Sequence, residues 1–548
     1  MARTVRLRPW QRSALHRLDE AAASGRADFL CVATPGAGKT TFALTAARQH
    51  LAAHPGRRLV VVAPTAHLKL QWAAAAVRLD IHLATDWAAA EGTLPSDLHG
   101  LVTTYQQVSM SEALMAELAY GAFVVLDEVH HAGDERAWGD SVRRAFEPAA
   151  FRLSLSGTPF RSDTRAIPFV RYELDEAAPD HEYGYGQALE EGRVVRPVWF
   201  PRLDGHMEWT APDGSRQEAS FGDEVDHAAA GQRLRTALSL EGEWLPAVLR
   251  SAHARLTEVR RKQPDAGGLV IATDQEHARG IAALLRDRFG VRAGVVLSDD
   301  PMASTRIARF AGSSDPWLVA VRMVSEGVDI PRLRVGVFAT TTTTDLFFRQ
   351  AVGRLVRWTP GEKVNRAWMF IPDDARLRAR AFQIADLRRH SLRRKAERRA
   401  LDDSEGTLDL EPTEQLSLFA ALSATPIGDG DLDASGGFDG DDMERDDPAE
   451  DRDHGVEIIL APLPVGGSAE GVRTDEGAVA TISRTEQRRI LRDRNADRAS
   501  ELTRKTGWSH AQVNVELNRM SGIRRITEAT VPELERRLRY ADRWLNRA

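Results

Sequence analysis

Two kinds of hydrophobic spacing alternate along the first two-thirds of the chain. Short, near-continuous apolar runs stand out: "FLCVAT" (29–34), "RLVVVAP" (58–64), "GLVTTY" (100–105), "FVVLDE" (123–128) and "RLSLSGT" (152–158). Stretches of helical character separate them. Strands that are apolar on both faces belong to a parallel sheet covered by helices on both sides. Alternation of strand and helix is the sequence order of such a sheet. After a less regular stretch a second series begins with "GGLVIAT" (267–273), "AGVVLS" (293–298), "WLVAV" (317–321) and "VGVFAT" (335–340). The pattern predicts an α/β protein with two parallel-sheet domains, at residues 1–175 and 245–400, joined by a connector over 176–244.

Downstream the pattern changes. Asp, Gly, Ser, Ala and Pro dominate residues 401–483, as in "IGDGDLDASGGFDGDDMERDDPAEDRD". That composition cannot bury enough surface to offset chain entropy, which predicts a largely disordered acidic linker. Within it "TEQLSLFAAL" (413–422) has the spacing of a short amphipathic helix. From residue 484 helical spacing returns in "WSHAQVNVELNRM" (508–520) and "VPELERRLRYADRWL" (531–545). Pro532 suits the first turn of the latter. A small helical C-terminal domain over 484–548 is the expectation, and no fixed-period repeat is present.

Composition bounds the setting. Of 548 residues 43% are apolar, ample for cores of ordinary size. A single cysteine, Cys31, excludes an intramolecular disulfide and points to a reducing compartment. The start, "MARTVRLRPWQRS", has no apolar signal core. No apolar run reaches the roughly 18 residues a membrane span needs. A cytoplasmic protein without a membrane partner is expected.

The net charge of −6 conceals segregation. Asp402–Asp453 holds 18 acids against two arginines, a net of −16 that leaves +10 elsewhere. Arg376–Arg399 carries 10 Lys/Arg against two acids, and 484–548 carries 16 against nine. Such blocks are either solvated helix faces or surfaces for a polyanion.

Chemistry enters where strands end. The first strand runs into "ATPGAGKTT", Ala33–Thr41. A strand, then a glycine-containing loop ending in Gly-Lys-Thr, then a helix make a phosphate cradle. Pro35, Gly36, Ala37 and Gly38 form the loop. Lys39 would reach the β/γ-phosphates, and the Thr40 hydroxyl, followed by Thr41, would ligate Mg²⁺. Such a loop needs a carboxylate at a neighbouring strand tip to help hold the metal. "FVVLDEVHHAG" (123–133) supplies Asp127 for that purpose, and Glu128 beside it to polarise the attacking water. By residue type alone, Asp127, Glu128, His130 and His131 also suit a transition metal. The upstream phosphate loop favours the nucleotide.

These motifs, with others in the same order, resemble superfamily-2 helicases and translocases of the DEAD/DEAH-box type. "DEVH" resembles motif II. "LRPWQ" (7–11) resembles the adenine-reading motif, with Gln11 on the base. "APTAHLKLQW" (63–72) and "TTYQQV" (103–108) resemble motifs Ia and Ib, implying Pro64, Thr65, Thr103, Thr104 and Tyr105 on a nucleic-acid backbone. "LSGTPFRSD" (155–163) resembles motif III, implying that Ser156 and Thr158, with His130, couple hydrolysis to domain movement. "VIATDQEHA" (270–278) resembles motif IV, with Thr273 on nucleic acid. "VSEGVDIPRL" (324–333) resembles motif V, with Gly327 and Asp329 near the nucleotide. "FRQAVGRLVRW" (348–358) resembles motif VI. Its Gln350, Arg354 and Arg357 fall at i, i+4 and i+7, the spacing of one helix face. The resemblance makes Arg354 and Arg357 arginine fingers.

The resemblance covers roughly residues 1–375 and implies two tandem RecA-like domains. The wording "SGTPFRSD", "EGVDIP" and "QAVGRLVR" is most similar to the branch of XPB-like and RadD-like proteins and restriction-enzyme motors. No counterpart of the XPB strand-separating elements is present. The implied activity is ATP- and Mg²⁺-dependent helicase or translocase action on DNA, in repair or defence. Two other readings stay open: an RNA helicase, and the motor or switch subunit of a restriction or phage-defence complex with a partner nuclease. The last 65 residues resemble C-terminal helical segments of DNA helicases from high-GC bacteria and their phages. There Trp508 and His510, near Arg504 and Lys505, suit nucleic acid, while Trp508 and Trp544 equally suit a bundle core. A protein partner for this domain is the alternative to DNA.

Overall fold

The computed structural model describes residues 3–87, 94–133, 136–157, 167–173, 176–210, 214–297, 300, 302–321, 330–359, 361, 365–404, 456–460, 463 and 484–547. The two sheets expected from the apolar runs are both present, each with seven strands. The chain divides into two compact units. One comprises Met1–Val32, Gly38–Glu182 and Asp453–Ala548, the other Ala33–Ala37 and Tyr183–Arg452.

In the first unit the sheet order is 181–183, 28–33, 151–156, 123–126, 59–63, 100–104 and 83–84. The five central strands pair in parallel, with Leu59 in register between Phe123 and Gly100. Phe123–Leu126 and Leu59–Ala63 are buried throughout, which is why their sequences read as unbroken apolar runs. A core of Leu30, Val62, Leu101, Tyr105, Val124, Leu126 and Phe146 lies on one face.

In the second unit six strands run in the order 198–199, 367–372, 333–339, 267–272, 317–321 and 293–296, and Arg202–Leu203 also pairs with 367–372. Every ladder of this sheet is parallel. The fold is therefore tandem RecA-like parallel-sheet domains with a helical C-terminal region. Within 176–244 lies an antiparallel hairpin, His206–Thr210 with Arg216–Ser220.

Two features differ from expectation. The region read as acidic linker contains a strand, Val456–Leu460, that pairs antiparallel with Arg3–Leu7. Its residues "VEIIL" are β-branched enough to form one once an edge is available. The segment 413–422 and most of the acidic stretch lie outside the described residues. Second, the helix carrying motif VI is Asp345–Gly353 and stops before Arg354. Arg354 and Leu355 bond back to Ala351 and Val352 in a tighter turn. Leu355 and Val356 are buried, and the Val356 carbonyl accepts from the Arg196 N–H at 2.8 Å. Arg357 then sits in a β-bridge with Val195. Burial of the two apolar residues thus overrides the i, i+4, i+7 helical spacing, and the three motif VI residues do not share one helix face.

The C-terminal helices Arg484–Thr506, His510–Ser521 and Val531–Leu545 pack as a bundle in the first unit. Thr530 caps the last of them. The Val531 N–H donates to Asp97 Oδ2 at 3.0 Å, from the loop before strand 100–104.

Candidate nucleotide site

The phosphate loop has the conformation its glycines allow. Gly36 and Gly38 have φ of +83° and +97°, in the left-handed region where a side chain is strained. The helix Lys39–Ala53 starts from Gly38, so its first N–H groups and positive dipole end face the loop. Gln11 Nε2 donates to the Gly38 carbonyl at 2.9 Å, and Gln11 Oε1 accepts from the Arg8 N–H at 2.8 Å. A Cβ on Gly38 would come within 2.8 Å of Gln11 Nε2. Gln11, Gly38, Lys39, Thr40 and Thr41 are thus brought together. In the second unit, which takes in Ala33–Ala37, a Cβ on Gly36 would lie 3.2 Å from Arg357 Cδ, and one on Gly353 2.7 Å from Pro35 Cγ.

The strand Phe123–Leu126 ends in the two acids, and their surroundings differ. Asp127 is buried at 7% exposure, and its Oδ2 accepts from Trp72 Nε1 at 2.7 Å. Tyr105 OH donates to the Asp127 carbonyl at 2.9 Å. Burial, and then the Glu128 charge, push the Asp127 carboxyl above its usual range. Burial works against the Glu128 charge as well, but Lys39, His130 and the Gly157 N–H hold Glu128 well below the carboxylate range. Lys39 Nζ is 3.2 Å from Glu128 Oε1, and the Gly157 N–H donates to Oε2 at 2.9 Å. Glu128 takes φ of +46°, a left-handed conformation that costs a non-glycine residue about 1–2 kcal/mol. Its carboxylate meets Lys39 Nζ and the Gly157 N–H.

An excess of negative charge at a buried strand tip, facing a lysine and a helix N-terminus, fits Mg²⁺ with a phosphate chain. Thr40 and Asp127 are the residues that would hold the metal. His130 Nδ1 lies 3.5 Å from Ser156 Oγ and 3.7 Å from Glu128 Oε2, joining motif II to the tip of strand 151–156. Thr158, Gly327 and Asp329 lie outside the described residues.

The residues expected on nucleic acid divide. Tyr105 and Thr103 are buried at 0% and 3%, so neither presents a side chain to a strand. Tyr105 supports the acidic strand tip instead, because its ring joins the core below the sheet's end. Thr65 and Thr104 cap helices, accepting from Leu68 N and Gln107 N. Lys69 Nζ donates to Gln107 Oε1 at 3.0 Å, tying the Ia and Ib helices together. Pro64 is half-buried beside Thr65. Thr273 borders a cleft of about 370 Å³ with Arg235, Ser239, Asp274, His277 and Thr341.

Gln350, Arg354 and Arg357 are all half-buried. Arg196, which no motif announces, is fully buried beneath them. It donates to the carbonyls of Leu333 and Pro331 at 3.0 and 2.9 Å and to Thr359 Oγ1 at 2.6 Å. It fastens the exit of motif V to the exit of motif VI. Trp72 escapes motif reading too, although a tryptophan closing an apolar motif needs a partner for its N–H when buried.

Comparison with known proteins places the chain in a family. Residues 4–161 match the family model "Type III restriction enzyme, res subunit". The "Uncharacterized protein Rv2917" of Mycobacterium tuberculosis (strain ATCC 25618 / H37Rv) is 45% identical over 408 residues, 73% of this chain and 67% of that protein. The "Uncharacterized protein ML1624" of Mycobacterium leprae (strain TN) is 38% identical over 527 residues, 94% and 85% of the two. Two solved structures overlay more loosely. A fragment of a putative HsdR subunit of a type I restriction enzyme from Vibrio vulnificus YJ016 has a TM-score of 0.47 at 18% identity, covering 68% of this chain and 65% of the other. The Type ISP restriction-modification enzyme LlaBIII, bound to DNA, has 0.43 at 16%, covering 67% and 27%. Neither overlay adds to what the sheets themselves show. The chain belongs to the family of these mycobacterial proteins.

Proposed function

We propose that this protein is a DNA-dependent ATPase that couples hydrolysis to movement on DNA. The observation that carries the proposal is the cluster at the end of strand 123–126: Lys39 on Glu128, Gly157 N–H on Glu128, and Trp72 on Asp127. Thr40 and Asp127 would hold Mg²⁺, which would neutralise phosphate charge when bound. Lys39 binds the same phosphates, and Gln11 reads the adenine. Glu128 accepts the proton of the attacking water, for which its depressed carboxyl is ionised at neutral pH. Arg354 and Arg357 stabilise charge on the γ-phosphate, a contribution of about 10³–10⁵ in rate for such arginines. His130 and Ser156 link the acid tip to motif III, which relays the change. Pro64, Thr65, Thr104 and Thr273 hold the nucleic-acid strand.

The res-subunit match favours a second reading, a motor or switch subunit that works with a partner nuclease. Steady-state ATPase rates with no nucleic acid, single-stranded DNA, duplex DNA and RNA separate the two, with Lys39→Ala as the blank. The motor reading expects strong stimulation by DNA and little by RNA. Activity indifferent to every nucleic acid would favour the partner-controlled switch, and stimulation by RNA alone would overturn both.

A further inference from the structure

The C-terminal bundle has a construction the motor does not use. Helix Arg484–Thr506 ends at a three-residue turn, Gly507–Ser509, in which Gly507 takes φ of +71°. Helix His510–Ser521 follows, and Ser509 caps it in a reciprocal box with Gln512. Two helices joined by a short glycine-containing turn are the arrangement in which the second helix enters a DNA major groove.

Burial sorts the second helix into two faces. Val513, Leu517 and Ser521 are buried, one turn apart. Ala511, Gln512, Val515 and Arg519 occupy the opposite face and are all exposed. Val515 is 69% exposed. Exposed Arg504 and Lys505 precede this face in sequence, and exposed Arg524 and Arg525 follow it.

The helix is also held rigidly. Arg537, fully buried on helix 531–545, donates to Asn514 Oδ1 and Asn518 Oδ1 on this helix and to Asn495 Oδ1 on the first. One guanidinium therefore locks all three helices in register. A face presented this firmly loses little freedom on binding.

We propose that helix His510–Ser521 reads duplex DNA from the major groove. Methyl groups of Ala511 and Val515 meet thymine methyls, and Gln512 Nε2 donates to a base edge while its Oε1 stays on Ser509; Arg519, paired with Glu516 at 2.6 and 2.8 Å, borders this face. Exposed Arg504 and Arg524 take phosphates, while Lys505 donates to the Leu545 carbonyl and Arg525 pairs with Glu528; 16 Lys/Arg against nine acids over 484–548 leave surplus positive charge. The Asp97 contact to Val531 and the pairing of Val456–Leu460 with Arg3–Leu7 anchor the reader to the first unit. The assignment goes beyond the motor reading and stands apart from it, since it requires no ATP.

The test is equilibrium binding of the full chain, without ATP, to a labelled mixed-sequence duplex and to a single strand. Val515→Glu should weaken duplex binding about tenfold or more, leaving single-strand binding and DNA-free ATP hydrolysis unchanged. Val515→Thr, of nearly the same shape, should retain most affinity. Arg504→Ala with Arg524→Ala should flatten the salt dependence of binding, by about 0.9 in log–log slope for each phosphate no longer neutralised. Duplex binding unaffected by Val515→Glu, or equal weakening on both nucleic acids, would overturn the assignment. So would loss of a co-purifying protein with duplex affinity intact, because the face would then be a protein site. Lys39→Ala keeps ATP-free duplex affinity under this assignment. If hydrolysis proves independent of DNA while Val515→Glu still abolishes duplex binding, the motor reading falls and the groove reader stands.

Discussion

The acidic strand tip and the C-terminal bundle each bury charge, and they handle it in opposite ways. At Asp127 and Glu128 two carboxylates share one lysine, and Asp127 is driven toward its neutral form. In the bundle a single cation, Arg537, is surrounded by three amide carbonyls. Burial lowers the Arg537 pKa to about 10, still far above neutrality, so the charge stays. The first arrangement sets two carboxylates against Lys39 and His130, a setting that would suit the metal proposed above. The second is closed on itself, and its polar atoms serve position. A buried charge is thus a functional signal when its surroundings are incomplete, and a structural one when neutral dipoles complete them.

Substitution should separate the two sharply. Glu128→Gln keeps the shape of the tip and a group that can bond, yet removes the proposed base. Hydrolysis under single-turnover conditions should fall about 10²–10⁴-fold while ATP binding persists. Stability should hold, because the like charge beside Asp127 disappears. Normal hydrolysis in this variant would remove the distinction altogether. Arg537→Leu should do the reverse. It leaves the buried Asn495 carbonyl and the half-buried Asn514 and Asn518 carbonyls without their donor and should cost about 2–4 kcal/mol of stability in denaturant unfolding. DNA-free ATPase should survive. If Arg537→Leu is as stable as the parent chain, the network does not set the register of the helices.

What could be read in advance follows the same division. The central strands of both sheets declared themselves because burial on two faces demands unbroken apolar runs, and Lys39, Asp127 and Glu128 were expected near one another because a phosphate loop needs a carboxylate at a neighbouring strand tip. The support for that site was hidden, since it is built from contacts distant in sequence. Trp72 reaches Asp127 across 55 positions, and Arg196 reaches Pro331 across 135. Tyr105 sits in a motif whose neighbours suggested a surface role, yet it points inward. The end of the helix at Gly353 was concealed by a spacing that suits a helix, and only the burial of Leu355 and Val356 ends it there. The strand 456–460 was lost in acidic surroundings because nothing local announces an edge supplied by residues 3–7.

His50, on the helix that follows the phosphate loop, shows a third response to burial and should give the smallest effect. It gives up its charge. Burial, and then His54 and Arg57 nearby, lower its pKa from 6.5 to about 4. Folded His50 is therefore neutral where unfolded His50 begins to bind a proton. The unfolded state gains protons as pH falls below 6.5, so His50 contributes stability above that pH and loses it progressively down to about 4. Melting temperatures of the parent and His50→Gln chains, measured across that window, should converge as the pH drops. A constant difference between them would mean that His50 carries its charge in the folded protein, and that burial on this helix is resolved by pairing, as it is for Arg537, rather than by discharge.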